Sequence, residues 1–171
     1  DRTIVVNSFS KTFAMTGWRI GYLAAPANVI AEALKASQYS VTSLPPFVQQ
    51  AAAFALQDAE TAAAVRGMAT AYGRRRDRVL QIWRKEAGGL PLPFVPQGAF
   101  YFFLDIHGLG LTSAETSRRL LDEAGVAFVP GSVYGTGGEG YLRMTIAAAD
   151  KEIEAGLRAF LGWVARQERR M

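Results

Sequence analysis

The chain has 171 residues, half of them apolar and one-fifth charged, and nineteen Lys and Arg against fifteen Asp and Glu leave a formal charge of +4. This is the balance of a folded globular chain of one domain, or one and a fraction, and the basic excess is too mild to select nucleic acid as a partner. With no cysteine, a disulfide scaffold, a thiolate zinc site and a cysteine nucleophile are excluded, while the single histidine, His107, argues against a His-based metal cluster and a Ser-His-Asp triad.

The opening Asp1-Arg2-Thr3-Ile4-Val5-Val6 has no initiator Met and enters a strand-like run at once. That start fits the later part of a longer chain, or a processed terminus. No apolar run reaches the length of a membrane span and no signal peptide is visible, so the expected compartment is the cytoplasm. Thr3 to Val6 reads as a buried strand, the segment from Asn7 to Thr12 as a polar turn or loop, and Trp18 to Ala24 as a second strand closed by Pro26. A chain reversal between Thr12 and Gly17 would bring Ser8, Lys11 and Arg19 together.

Helix-forming composition follows. Ala27 to Tyr39 is one helix, Leu44-Pro45-Pro46 a stop and restart, and Phe47 to Ala87 is mostly helical. Within it Val65, Met68, Ala69, Tyr72, Val79, Leu80 and Trp83 recur at helical spacing, with Arg76 as a basic intrusion, and predict one buried stripe. Gly88-Gly89 and Pro91 end that helix. Ala99 to Ile106 is strand-like, Thr112-Ser113-Ala114-Glu115 is a capping box for a helix to about Gly125, and Val126 to Val129 and Tyr141 to Ile146 are short strands. Asp150 caps a last helix with Ile153, Leu157, Phe160, Leu161 and Val164 on its apolar face. The expected domain boundary lies between Gly88 and Pro96, separating residues 1–90 from a compact α+β unit, residues 91–171.

Two features are set aside. Arg74-Arg75-Arg76 with Arg78 reads as a solvated helix face, not a nucleic-acid contact. Gly135-Thr136-Gly137-Gly138-Glu139-Gly140 matches a dinucleotide-binding fingerprint in letters only, because a strand follows where that mechanism needs a helix. His107 reads as a strand-end residue.

The segment Ser8 to Tyr22 carries more. Lys11 stands among apolar residues and small hydroxyls with Arg19 eight positions on. A desolvated lysine beside another cation becomes a usable amine nucleophile, and hydroxyls with a guanidinium suit a phosphate. An amine next to a phosphate cradle is what pyridoxal phosphate requires. The fifteen positions from Ser8 to Tyr22 resemble the lysine signature of the class I and II aminotransferases, in the fold-type I group. The resemblance identifies Lys11 with the Schiff-base lysine, Ser8 and Arg19 with the phosphate-holding hydroxyl and guanidinium, and Ser10 with a weaker third contact. Tyr141 to Ala147 resembles the family's late strand, and Arg143 its arginine for the substrate α-carboxylate. Val129 to Gly135 resembles the loop at the active-site entrance, and Gln97 to Tyr101 the start of the small-domain sheet.

The resemblance implies an α/β fold: the C-terminal part of a fold-type I transferase, with late strands and helices of the large domain followed by the small α+β domain. It implies pyridoxal 5′-phosphate as cofactor, an amino acid and a 2-oxo acid as substrates, and a homodimer. The family's aspartate for the pyridinium nitrogen and its ring-stacking aromatic have no counterpart in this sequence. A regulator with an aminotransferase-like domain and a lyase on the same scaffold remain alternatives.

Overall fold

The computed structural model describes residues 2–168. Two compact units divide between Ala69 and Thr70, inside a long helix that passes from one into the other.

In the first unit, β1 (Val5–Ser8) and β2 (Gly21–Ala24) form an antiparallel ribbon with Val5 opposite Ala24 and Ser8 opposite Gly21. The pairing reaches two residues further than expected, so Asn7 and Ser8 belong to the strand and not to a loop. The strand is also not buried: all four of its residues are exposed, Val6 at 77%. A two-stranded ribbon buries a side chain only where another element covers its face, and the small core of this unit lies beyond its end, on Phe9, Met15, Ile20, Val48 and Ala52. Gly21 is required by the pairing, since a Cβ there would lie 2.5 Å from the Asn7 carbonyl oxygen. β2 begins at Gly21 because Thr16–Trp18 coils into a 3-10 turn and Arg19 takes a left-handed backbone with φ of 54°.

Between the strands lies the one-turn helix α1 (Phe9–Thr12), and after them come α2 (Ala27–Ser40) and α3 (Pro46–Gln57). Pro46 occupies the first turn of α3, where its missing N–H costs nothing. The mostly helical stretch expected from Phe47 to Ala87 breaks at Asp58, whose extended backbone ends α3. Its carboxylate accepts hydrogen bonds from the Thr61 N–H (2.7 Å) and hydroxyl (2.8 Å), so Asp58 starts α4 (Ala59–Glu86).

In the second unit, the C-terminal part of α4 buries Val79, Leu80 and Trp83 as expected, and Ile82 with them. β3 (Tyr101–Asp105), β4 (Val129–Pro130) and β5 (Tyr141–Thr145) form an antiparallel sheet in the order β3-β5-β4. Val126 is buried outside the strands, and β4 is shorter and later than its sequence suggests. Phe102, Leu104, Leu142 and Met144 fill the covered face of the sheet. Their core includes Leu120 of α5 (Ser113–Ala124) and all five expected residues of α6 (Asp150–Glu168), together with Trp163. Thr112 accepts the Glu115 N–H at 3.2 Å, and Gly125 ends α5 at φ of 66°.

Two expectations are corrected here. Asp150 lies within α6 and its carboxylate is engaged by the Arg75 guanidinium at 2.7 Å; Glu152 takes the N–H of Ala149 instead. The basic run of α4 is not merely solvated, because Arg75 and Arg78 tie α4 to α6, Arg78 meeting both oxygens of Glu154 at 2.7 and 2.9 Å. Residues 131–138 contain two 3-10 turns, Gly131–Tyr134 and Thr136–Gly138, followed by the strand expected from Tyr141, and His107 follows β3 with Nδ1 2.8 Å from Asp105. Among the described residues, no helix is long and apolar enough to cross a membrane.

Candidate active site

The first group of residues grows from the β1–α1 junction. The Ser8 hydroxyl accepts the N–H of Ser10 at 3.1 Å and caps α1. Accepting leaves its own O–H free to donate. Phe9 and Phe13, one helical turn apart, meet as tilted rings with centroids 5.0 Å apart, with Phe9 in the core and Phe13 packed against it. Lys11 is midway between them in sequence, which puts it about 200° around the helix from each. It is exposed for that reason. The sequence predicts a desolvated Lys11; instead the apolar neighbours turn inward and the lysine turns out.

The N–H of Phe9 donates to the Ile20 carbonyl at 3.2 Å, which closes the reversal and sets Arg19 beside the turn that holds Ser8, Ser10 and Lys11. The Arg19 side chain donates through Nη1 to the Thr16 carbonyl at 3.0 Å. Nε and Nη2 are left for other acceptors. Among the described residues, no carboxylate forms an ion pair with Lys11 or Arg19. An amine, a hydroxyl donor and a guanidinium without a protein counter-ion form a local set suited to an anion.

The second group is built on the open face of the β3-β5-β4 sheet. Register places Arg143 on the central strand between Phe103 and Val129. The guanidinium carbon lies 4.3 Å from the ring centroid of Tyr101 and 4.8 Å from that of Tyr134. Phe103 stacks on Tyr141 at 5.2 Å and meets Tyr134 edge-on at 6.1 Å. The loop that carries Tyr134 is tethered by Glu139, which accepts the Ser113 N–H at 2.6 Å and the Ser113 hydroxyl at 3.0 Å. The N–H of Ser113 is the main cause that holds the Glu139 carboxyl below the ordinary range. Among the described residues, Arg143 has no carboxylate partner.

Each predicted residue therefore falls in one of two places. Ser8, Ser10, Lys11 and Arg19 share the hairpin of the first unit, and Arg143 lies in the second. The tyrosines around Arg143 were not singled out by the sequence. Alternation along β3 signals that Tyr101 and Phe103 share a face, but only the strand register reveals that Arg143 is on it.

The profile of the family "Aminotransferase class I and II" matches residues 1–160. The chain is 48% identical over 158 residues to an aspartate aminotransferase of Pyrococcus abyssi, covering 92% of this chain and 40% of that protein. It is 46% identical over 158 residues to aromatic-amino-acid aminotransferase 2 of Thermococcus litoralis, again covering 92% of this chain and 40% of that protein. Superposed on the crystal structure of the aromatic aminotransferase from Pyrococcus horikoshii, it gives a TM-score of 0.91 at 44% identity, covering 98% of this chain and 44% of that one. The chain thus spans about two-fifths of the length of the curated relatives it matches.

Proposed function

The chain belongs to the class I and II aminotransferase family, and from that premise we propose that it is the C-terminal part of an enzyme that moves an amino group from an amino acid to a 2-oxo acid. Residues 1–90 are read as the end of the cofactor-binding domain with its linking helix, and residues 91–171 as the small domain. The observation that supports the proposal is the backbone reversal from Phe9 to Ile20, on which Ser8, Ser10, Lys11 and Arg19 all lie, none of them paired with a carboxylate of a described residue. The relatives at 46–48% identity bear aminotransferase names, which favours transfer over the lyase and regulator alternatives.

The donors present fit pyridoxal 5′-phosphate. Lys11 would hold its aldehyde end, and Arg19 and the Ser8 hydroxyl would hold its phosphate, with Ser10 as a further donor. The cofactor, when bound, supplies an electron-withdrawing ring that acidifies the substrate Cα–H. Once the substrate's amino group has taken its place on the cofactor, the freed Lys11 Nζ, on a turn anchored from behind by Phe9 and Phe13, would take and return that proton. Arg143 binds the substrate α-carboxylate through two parallel N–H donors, so the substrate arrives oriented. The assembly is proposed to be a cytoplasmic homodimer, with no nucleic-acid or membrane partner.

The test is borohydride reduction of the full-length protein followed by peptide mapping. The cofactor is expected on the peptide that contains Lys11, and Lys11→Ala is expected to lose both the visible absorption and transamination. Full turnover and retained cofactor in Lys11→Ala would refute the proposal.

A further inference from the structure

We propose that Tyr101 and Tyr134 are positioning residues, which hold the Arg143 guanidinium in the orientation that receives a planar carboxylate. The inference rests on the reading of Arg143 as the carboxylate site. It starts from how a guanidinium is divided. Its planar face meets aromatic rings, while its five N–H groups point outward along its edge. A ring at 4.3 Å and another at 4.8 Å engage Arg143 through contacts that leave the edge donors unspent. No ion pair or hydrogen bond from a described residue uses those donors.

The surroundings explain why the contacts are kept. Tyr101 is fixed by β3, whose covered face carries Phe102 and Leu104 into the core. Tyr134 is fixed differently, from a loop. Glu139 and Ser113 tie that loop to the start of α5, and the Ser113 hydroxyl, whose proton goes to Glu139, lies 3.0 Å from the hydroxyl of Ser132, two residues before Tyr134. Phe103 adds an edge contact to the Tyr134 ring. An arginine side chain otherwise loses several rotatable bonds' worth of freedom when it binds, and rings that already restrict it reduce that loss. The role belongs to the rings and not to their hydroxyls, since no described residue hydrogen-bonds to either hydroxyl.

The test uses the 171-residue chain and acetate as the probe, with chloride added to keep ionic strength constant. The Arg143 Nε–Hε resonance is followed by NMR during the titration. In the absence of acetate it is expected to be shifted upfield by the rings, and acetate is expected to move it saturably. Tyr101→Phe and Tyr134→Phe should leave both the starting shift and the affinity unchanged. Tyr134→Leu, at a position 49% exposed, should lose part of the upfield shift and bind acetate about fivefold more weakly. Tyr101→Leu should do the same. Leucine variants that bind acetate as tightly as the parent overturn the inference and leave the reading of Arg143 standing. An Arg143 resonance that acetate does not move in the parent chain overturns both.

Discussion

Gly131 and Gly138 cross so closely that a Cβ on Gly138 would lie 2.1 Å from the Gly131 carbonyl oxygen, and one on Gly131 would lie 2.0 Å from that of Gly138. Backbone cannot yield as a flexible side chain does, so Gly138→Ala must push the two 3-10 turns apart. The expected cost is about 1–3 kcal/mol, read as a lower urea midpoint, together with a changed Arg143 resonance because Tyr134 rides on the same loop. An unchanged midpoint would show that the crossing is looser than its geometry. At this scale the sequence was informative about residue type and weak about environment. The strand expected after the glycine pattern is there as β5, yet nothing in the pattern's letters disclosed a backbone crossing. Lys11 was found through its neighbours, but its burial was misjudged because Phe9 and Phe13 share the helix side opposite to it. Arg143 is singled out by the resemblance of its strand to the family's late strand. Its two tyrosines were hidden, since residues 101 and 134 meet it only through strand register and loop packing.

Helices and strands were legible where periodicity and punctuation agreed. The five apolar positions of α6, the proline restart at α3 and the Gly125 end of α5 all lie where the sequence put them. Asp58 was missed because its role is played by one carboxylate within a composition that is helical on both sides. The arginines of α4 were missed for a related reason: a helical wheel shows which side they occupy, not that α6 presents Asp150 and Glu154 to them. That pairing has a pH signature. The Glu154 carboxyl is held down to about 2, first by its hydrogen bond to Arg78, then by Arg158. A carboxyl whose folded pKa is depressed stabilises the fold in full above its unfolded value, near 4.5, and the contribution fades as pH falls toward about 2. The margin of the parent over Glu154→Gln in urea midpoint should therefore be constant from neutral pH to about 5 and shrink below it. A margin that does not change down to pH 2.5 would mean the ion pair adds no pH-dependent stability, as an exposed pair can.

Across the whole molecule the two units differ in how much apolar surface they cover. The second unit surrounds one face of its sheet with helices, and its fold as a late α+β unit was readable from strand, cap and stripe. The first unit was readable as elements but not as a packed body. Among the described residues its core is five buried side chains, while Val6, Tyr39 and Phe47 stand exposed, Tyr39 at 94%. Periodicity states which side chains favour burial; it does not state what covers them, and this chain spans about two-fifths of its curated relatives. A core that small offsets little of the entropy of ordering its chain, so local opening should be easy there. Native-state hydrogen exchange on the 171-residue chain measures this directly. Ladder amides of β5, in the centre of its sheet over Leu142 and Met144, are expected to exchange only through large-scale unfolding, with protection rising as denaturant is removed. Ladder amides of β1 and β2, with no covered face, should exchange through local opening and respond little to denaturant. Equal protection in the two ladders would contradict this account, since it would require the ribbon that carries Ser8 to be as stable as the sheet that carries Arg143. If the difference is observed, the weaker member of the proposed chemistry is the turn around Lys11, and ligands that bridge Lys11 and Arg19 should raise protection in β1 and β2 before they affect β5.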